Sequence, residues 1–189
     1  MTSLDELTKA LDDVVVDLDI KWRLHRELFQ VENHYALFAK SGAGVWSVLG
    51  DSVLDDIFMS AARLFDPAVS FGGKENLSFE RIISSLPQSD EQSRIKRDYQ
   101  STKSLYDRTL RNWRNWKLSH NSLDAIRRAS LLPDVSYGDV SRLIDGINQL
   151  ARSLALIVRN IDQRHEPVIQ NQDWVWRLIE VLKKGVADP

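Results

Sequence analysis

From Val140 to Asp162 the apolar residues Leu143, Ile144, Ile147, Leu150, Leu154, Ile157, Val158 and Ile161 recur at steps of three and four. That spacing puts them on one face of a helix and leaves the other face polar. A stripe this long and continuous belongs at the centre of a helical bundle, because only neighbouring helices can cover it. The rest of the chain repeats the pattern. Leu4, Leu7, Leu11, Val14, Val15 and Leu18 begin a stripe that Trp22, Leu28, Val31, Tyr35 and Phe38 continue. Residues 1–40 are thus expected to form one long N-terminal helix, or two nearly continuous ones, ended by Ser41-Gly42-Ala43-Gly44. A second helix is expected over Val45–Phe65, with Val48, Leu49, Val53, Ile57 and Leu64 inward and the small Ser60, Ala61 and Ala62 allowing close approach.

Polar residues punctuate the pattern. Ser78 is placed to cap a short helix over Phe79–Leu86, which Pro87 ends. Ser89-Asp90-Glu91 opens a long basic helix with acidic residues in its first turn, as the helix dipole prefers. Its apolar side is Tyr99, Leu105, Tyr106, Leu110 and Trp113. A short helix follows over Leu123–Leu132. Ser136 and Asp139 then form a capping box with Asp in place of Glu. A C-terminal amphipathic helix spans 172–185, with Trp174, Val175, Leu178, Ile179 and Leu182. Eight Gly and five Pro in 189 residues fit long helices with few turns, and no alternating run suggests a strand. The expected fold is all-α: one domain over 1–189, an up-and-down bundle of about five main helices.

Several chemistries are set aside by residue type. There is no Cys, which removes disulfides, thiolate catalysis and Cys-ligated zinc. His25 and His34 are nine apart, whereas a helical metal pair needs three or four. Asp51, Asp55 and Asp56 have no His beside them and read as a solvated face. There is no Glu-x-x-His for a di-metal bundle site. Phe71-Gly72-Gly73-Lys74 lacks the flanking P-loop pattern and reads as a turn. Neither a metal nor a cofactor is expected. Met1-Thr2-Ser3-Leu4-Asp5-Glu6 has no basic start or apolar run, and no stretch is long enough for a membrane span. A cytoplasmic location without membrane association is expected.

The stretch with chemical content is Arg111-Asn112-Trp113-Arg114-Asn115-Trp116-Lys117-Leu118-Ser119-His120-Asn121. Arg111 and Arg114 share a face, as do Trp113 and Trp116; such a face suits a buried seam, or phosphate and bases. Arg114 and His120 stand ~240° apart on an unbroken helix. To cooperate they need a helix end between them, or two chains contributing to one site. Leu118-Ser119-His120-Asn121-Ser122 supplies residues that favour a helix end. The net charge is −2, yet Arg94 to Arg128 holds ten Lys/Arg against three Asp/Glu. A local basic field draws in phosphates.

Arg114-Asn115 followed by His120 resembles the Arg-polar-(x)-His signature of the HEPN superfamily. The pattern Arg-Asn/Asp-x-x-x-Ala/Ser-His is similar to its AbiU-type abortive-infection branch. Ala62-Arg63-Leu64-Phe65-Asp66-Pro67, followed by Asn76-Leu77-Ser78-Phe79, resembles that branch's Arg-Leu-x-Asp-Pro and Asn-Leu-(Ser/Thr) region. The resemblance spans roughly Val45 to Val158. Related sequences often carry Asp two residues after the His, where this chain has Ser122. Arg63 reads as structural, pairing with Asp66 at the helix exit.

The resemblance implies a HEPN-like bundle that cleaves RNA without metal, as a toxin or abortive-infection effector restrained by an antitoxin protein. It also implies a homodimer that brings two motifs into one cleft. In chemical terms His120 is the proton carrier near neutral pH, Arg114 neutralises charge on the phosphoryl oxygens, and Asn115 orients the phosphate or His120. Lys103, Arg108, Arg111 and Lys117 are the cations expected to attract the RNA backbone. The alternative is a non-catalytic HEPN-like module that binds nucleic acid or a protein partner. Beneath both lies the bland case of ordinary surface residues beside core tryptophans.

Overall fold

The computed structural model describes residues 3–115, 135–162 and 173–187, and among them the only regular elements are helices. In chain order these are α1 (Leu4–Phe29), α2 (Glu32–Leu64), α3 (Phe79–Ser85), α4 (Asp90–Thr109), α5 (Arg111–Trp113), α6 (Tyr137–Arg159) and α7 (Asp173–Ala187). Five of the seven are long, close to the number the periodicity predicts. The chain divides into two compact units, Met1–Leu18 with Phe58–His165, and Asp19–Ile57 with Glu166–Pro189.

The first unit is built on α4 and α6, which pack along each other. α6 buries Val140, Leu143, Ile144, Ile147, Leu150, Ala151, Leu154 and Ala155, which include much of the apolar stripe expected from the sequence. Leu11, Val15 and Leu18 of α1 and Ala61, Ala62 and Leu64 of α2 add to this core. Its helix ends are closed by side chains. Ser3 and Glu6 form a reciprocal capping box on α1: Glu6 N–H donates to Ser3 Oγ at 3.2 Å and Ser3 N–H to Glu6 Oε2 at 2.8 Å. Ser78 accepts from Arg81 N–H, Ser89 from Gln92 N–H and Ser136 from Asp139 N–H. Asn160, left-handed at φ 53°, ends α6. Arg159 joins that end to α1, with Asp5 at 3.2 Å and the buried Asp12 at 3.5 Å.

At Gly146 α6 approaches α4 closely. A Cβ there would lie 2.9 Å from Thr102 Cγ2. Thr102 cannot easily swing away, because its hydroxyl donates to Asp98 O at 3.0 Å.

In the second unit, Leu28, Phe38, Val175 and Ile179 form a small core with Phe29, Leu37, Trp46 and Leu182 against it. Phe38 stacks on Trp46 with centroids 4.2 Å apart. His25 is buried between Trp22 and Phe29, a core histidine whose pKa burial pushes down against the opposing Gly50 backbone bond and Asp51 charge.

Residues 1–40 form the second of the two expected arrangements, two nearly continuous helices, and one expected face is corrected. The chain breaks at Gln30–Val31, where His34 Nδ1 donates to Leu28 O at 3.1 Å and Tyr35 Oη to Phe29 O at 2.6 Å. These side chains satisfy carbonyls that the end of α1 would otherwise leave unpaired. As expected, the helix is interrupted within residues 41–44: Gly42, at φ 128° and ψ 67°, is non-helical, and α2 is two helices meeting at that kink. On an unbroken helix Val45 and Leu49 would continue the face of Phe38. The bend slips the phase by one residue, so Trp46 packs on the core and Gly50 is buried against Phe29. Val48 and Leu49, expected inward, are 65% and 46% exposed.

Gly146→Ala should cost stability. Overpacking of ~1–3 kcal/mol exceeds the ~1 kcal/mol gained in helix propensity, leaving a net loss of about 1 kcal/mol. Urea denaturation measures it, and adding Thr102→Ser, which removes the crowding methyl, should restore part of the loss.

Candidate functional site

The site grows from the end of α2. Phe65 N–H donates to Ala62 O at 3.0 Å and Asp66 N–H to Arg63 O at 3.2 Å, which tightens the last turn before Pro67. Phe65 is buried and stacks on Tyr106 of α4 with centroids 4.8 Å apart and planes at 11°, and it also meets Phe79 and Tyr99. Asn76 secures the loop that follows, its amide donating to Pro67 O at 2.7 Å and Ser70 Oγ at 2.6 Å. Within that loop Gly72 and Gly73 have φ 86° and 80°, so Gly72-Gly73-Lys74 is a turn, as its sequence suggests. Ala68 N–H reaches Glu80 of α3 at 3.2 Å. The residues around Asp66 are therefore tied to α3 and α4.

α4 ends at Leu110, whose φ of −115° interrupts the helix one residue before the basic stretch. Arg114 N–H still donates to Leu110 O at 2.8 Å, so Arg111–Trp113 turns as a helix and Arg114 follows it. Arg114 Nη2 lies 2.5 Å from Asp66 Oδ1, with side chains 36% and 18% exposed. This corrects the expected Arg63–Asp66 pair. Asp66 takes Arg114, 48 residues on, while the Arg63 side chain is exposed. The two segments that carry the family resemblance meet at this contact.

Tyr106 belongs to the same neighbourhood. Burial pushes its phenol above the ordinary value; Arg114 and Arg111 draw it down, while Asp66 and Asp107 push it up. Sequence periodicity gave Tyr106 only a packing role and did not find the Asp66–Arg114 pair.

The expected RNA-binding cations divide between two sides of α4. Lys103 and Arg111 flank Asp107, at 3.8 Å and 3.6 Å, and share its charge. Lys103 also lies 5.9 Å from the Tyr106 ring centroid. Arg108 instead lines a groove of about 720 Å³ between α4 and α6, together with Arg142, Asp139 and Asp145. Arg142 pairs with Asp139 there. Asn115 is exposed beside Arg114. Trp113 is partly buried and meets Phe58 edge-on, centroids 5.8 Å apart and planes at 75°. Trp116, Lys117, His120 and the expected helix over Leu123–Leu132 lie outside the described residues. Among the described residues, no three His, Asp or Glu side chains gather to hold a metal ion, and no helix is long and apolar enough to cross a membrane.

An all-helical chain that joins an Arg-Leu-x-Asp-Pro helix end to an Arg-Asn stretch defines an α-class, HEPN-like protein. The family model HEPN_AbiU2, described as AbiU2, matches residues 1–175, and the chain belongs to that family. No curated protein and no solved structure matches it.

Trp113 and Arg114 should respond differently to truncation. Trp113 is only partly buried, so Trp113→Ala should cost roughly half of the ~3–5 kcal/mol typical of a fully buried aromatic. Arg114→Ala, which removes an ion pair whose Arg side chain is about a third exposed, should change stability by about 1 kcal/mol or less. Equilibrium urea curves on the two variants check the order.

Proposed function

We propose that this protein is a metal-independent endoribonuclease of the HEPN type, used as a toxin or abortive-infection effector and held in check by an antitoxin protein. The observation that carries the reading is the Arg114–Asp66 contact, which joins both family segments in one place. In the proposed reaction the ribose 2′-OH attacks the adjacent phosphorus, an internal nucleophile favoured by proximity. His120 accepts or returns the proton, since its ordinary pKa lies near neutrality. Arg114 stabilises the charge that builds on the phosphoryl oxygens, and Asn115 orients the phosphate or His120. Lys103, Arg111 and Lys117 attract the backbone, with Arg108 approaching from the α6 side.

The reading includes a homodimer. Arg114 and His120 would face different sides of an unbroken helix, so two chains sharing one cleft supply what one helix does not. One observation favours the second reading, a non-catalytic binding module. Arg114 is already matched by Asp66, and Asp107 sits between Lys103 and Arg111, which lowers the local positive field.

RNA cleavage decides between them. The purified protein should cut RNA in EDTA, leave a 2′,3′-cyclic phosphate, and stop at a 2′-deoxy or 2′-O-methyl residue placed at the cut site. Arg114→Ala and His120→Ala should each abolish cutting while the helical circular dichroism signal is retained. Activity should fall with salt and at acid pH, where a protonated His120 cannot act as base. Equal cutting of DNA, or strict dependence on added Mg²⁺, would exclude the mechanism; binding without cleavage would leave the module.

Light scattering or solution X-ray scattering at micromolar concentration should return the mass of a dimer. A monomer there would remove the shared-cleft arrangement.

A further inference from the structure

We infer that Asp66 is a positioning residue for Arg114, setting the direction of the guanidinium on which the proposed ribonuclease reaction depends; the inference rests on that reading of the site. A surface ion pair usually adds little, because two long side chains must be ordered to make it. Here one partner has little left to order. The Asp66 carboxylate is on a short side chain next to Phe65, whose ring is buried against Tyr106, Tyr99 and Phe79. The loop beyond Pro67 is held by Asn76 and by Glu80. The carboxylate is thus a fixed anchor, and the 2.5 Å contact places the long, rotamer-rich Arg114 side chain on it.

The geometry favours positioning over a purely structural staple. Arg114 comes after the interruption at Leu110 and beyond the three-residue α5, so its helix alone gives weak control of its direction. The fold between Phe65 and Tyr106 already fastens the end of α2 to α4 without Arg114. The contact therefore adds direction at Arg114 more than cohesion between helices. A guanidinium with a fixed direction matters most for charge that develops in the transition state, where donors must already be aimed. A displacement of ~1 Å at such a group can cost ~10²-fold in rate.

The experiment compares Asp66→Asn and Asp66→Glu with the parent in the full chain. Asp66→Asn keeps shape and hydrogen-bonding capacity and removes the charge. We expect it to lower kcat on the order of 10–100-fold, with KM nearly unchanged and melting temperature close to that of the parent. Asp66→Glu should restore part of kcat. An unchanged or raised kcat, or a loss that follows the fraction of unfolded protein, would overturn the inference.

A second measurement stands apart from catalysis. Phenylglyoxal, which adds to accessible guanidinium groups, should label Arg114 faster in Asp66→Asn than in the parent, with the other arginines unchanged by mass spectrometry. An unaltered Arg114 rate would overturn the inference even in an active enzyme. A raised rate in a chain that cuts no RNA would leave the Asp66 anchor standing and remove the ribonuclease reading instead.

Discussion

The stacking of Phe65 on Tyr106 is the contact on which the site depends. Both rings are buried, 4.8 Å apart and nearly parallel, and Phe79 and Tyr99 complete the cluster. Aromatic pairs of this kind contribute ~0.5–1.5 kcal/mol beyond the area they bury. Their consequence reaches further than that energy. The cluster binds the end of α2 to α3 and α4, three elements consecutive in the chain, and Asp66 is covalently next to Phe65. Once the rings are packed, the carboxylate has almost nowhere else to go. The Arg-Leu-x-Asp-Pro segment thus works as a unit: Leu64 and Phe65 fill core, Asp66 projects, and Pro67 turns the chain while Asn76 takes its carbonyl.

Much of the fold was legible because helix formation is signalled locally. Apolar spacing foretold the buried face of α6, and single Ser residues foretold the starts of α3, α4 and α6. What escaped the reading was non-local or lay in the backbone. Gly42 was legible as a break, because residue type reveals permission for positive φ, but not the direction in which the next helix leaves it. That direction decides which residues face inward, and it leaves Val48 and Leu49, expected inward, exposed. Two nearly continuous helices were one expected arrangement of residues 1–40, but the position of the break at Gln30–Val31 depends on His34 and Tyr35 folding back onto the last carbonyls of α1, a contact no helical period announces. The Ser3–Glu6 box was the opposite case, a local signal present in the sequence and passed over. For Asp66, i,i+3 proximity favoured Arg63, yet the partner that wins comes from α4's far end. Local spacing identifies which residues can meet along one helix, and says nothing of what another helix brings.

The same contact bears on how a protein with a net charge of −2 would handle RNA. Counting charges from Arg94 to Arg128 suggests a strong basic field, but near Arg114 the field is partly compensated. Asp66 offsets Arg114, Asp107 offsets part of Lys103 and Arg111, and Arg108 faces a groove holding Asp139 and Asp145. Attraction of a polyanion scales with the cations that displace its counterions, and so each such pair weakens it. Transition-state stabilisation scales differently. It depends on donors already aimed where charge appears, and reorientation during the reaction is the cost avoided. A guanidinium anchored on a carboxylate gives up attraction and gains direction. In the proposed enzyme this divides the work: unpaired charge elsewhere in the basic stretch gathers RNA, and the matched pair orders the chemistry. Selectivity for a few phosphates over many follows from that division, since a weak field holds RNA briefly and only a well-placed phosphate meets Arg114 correctly.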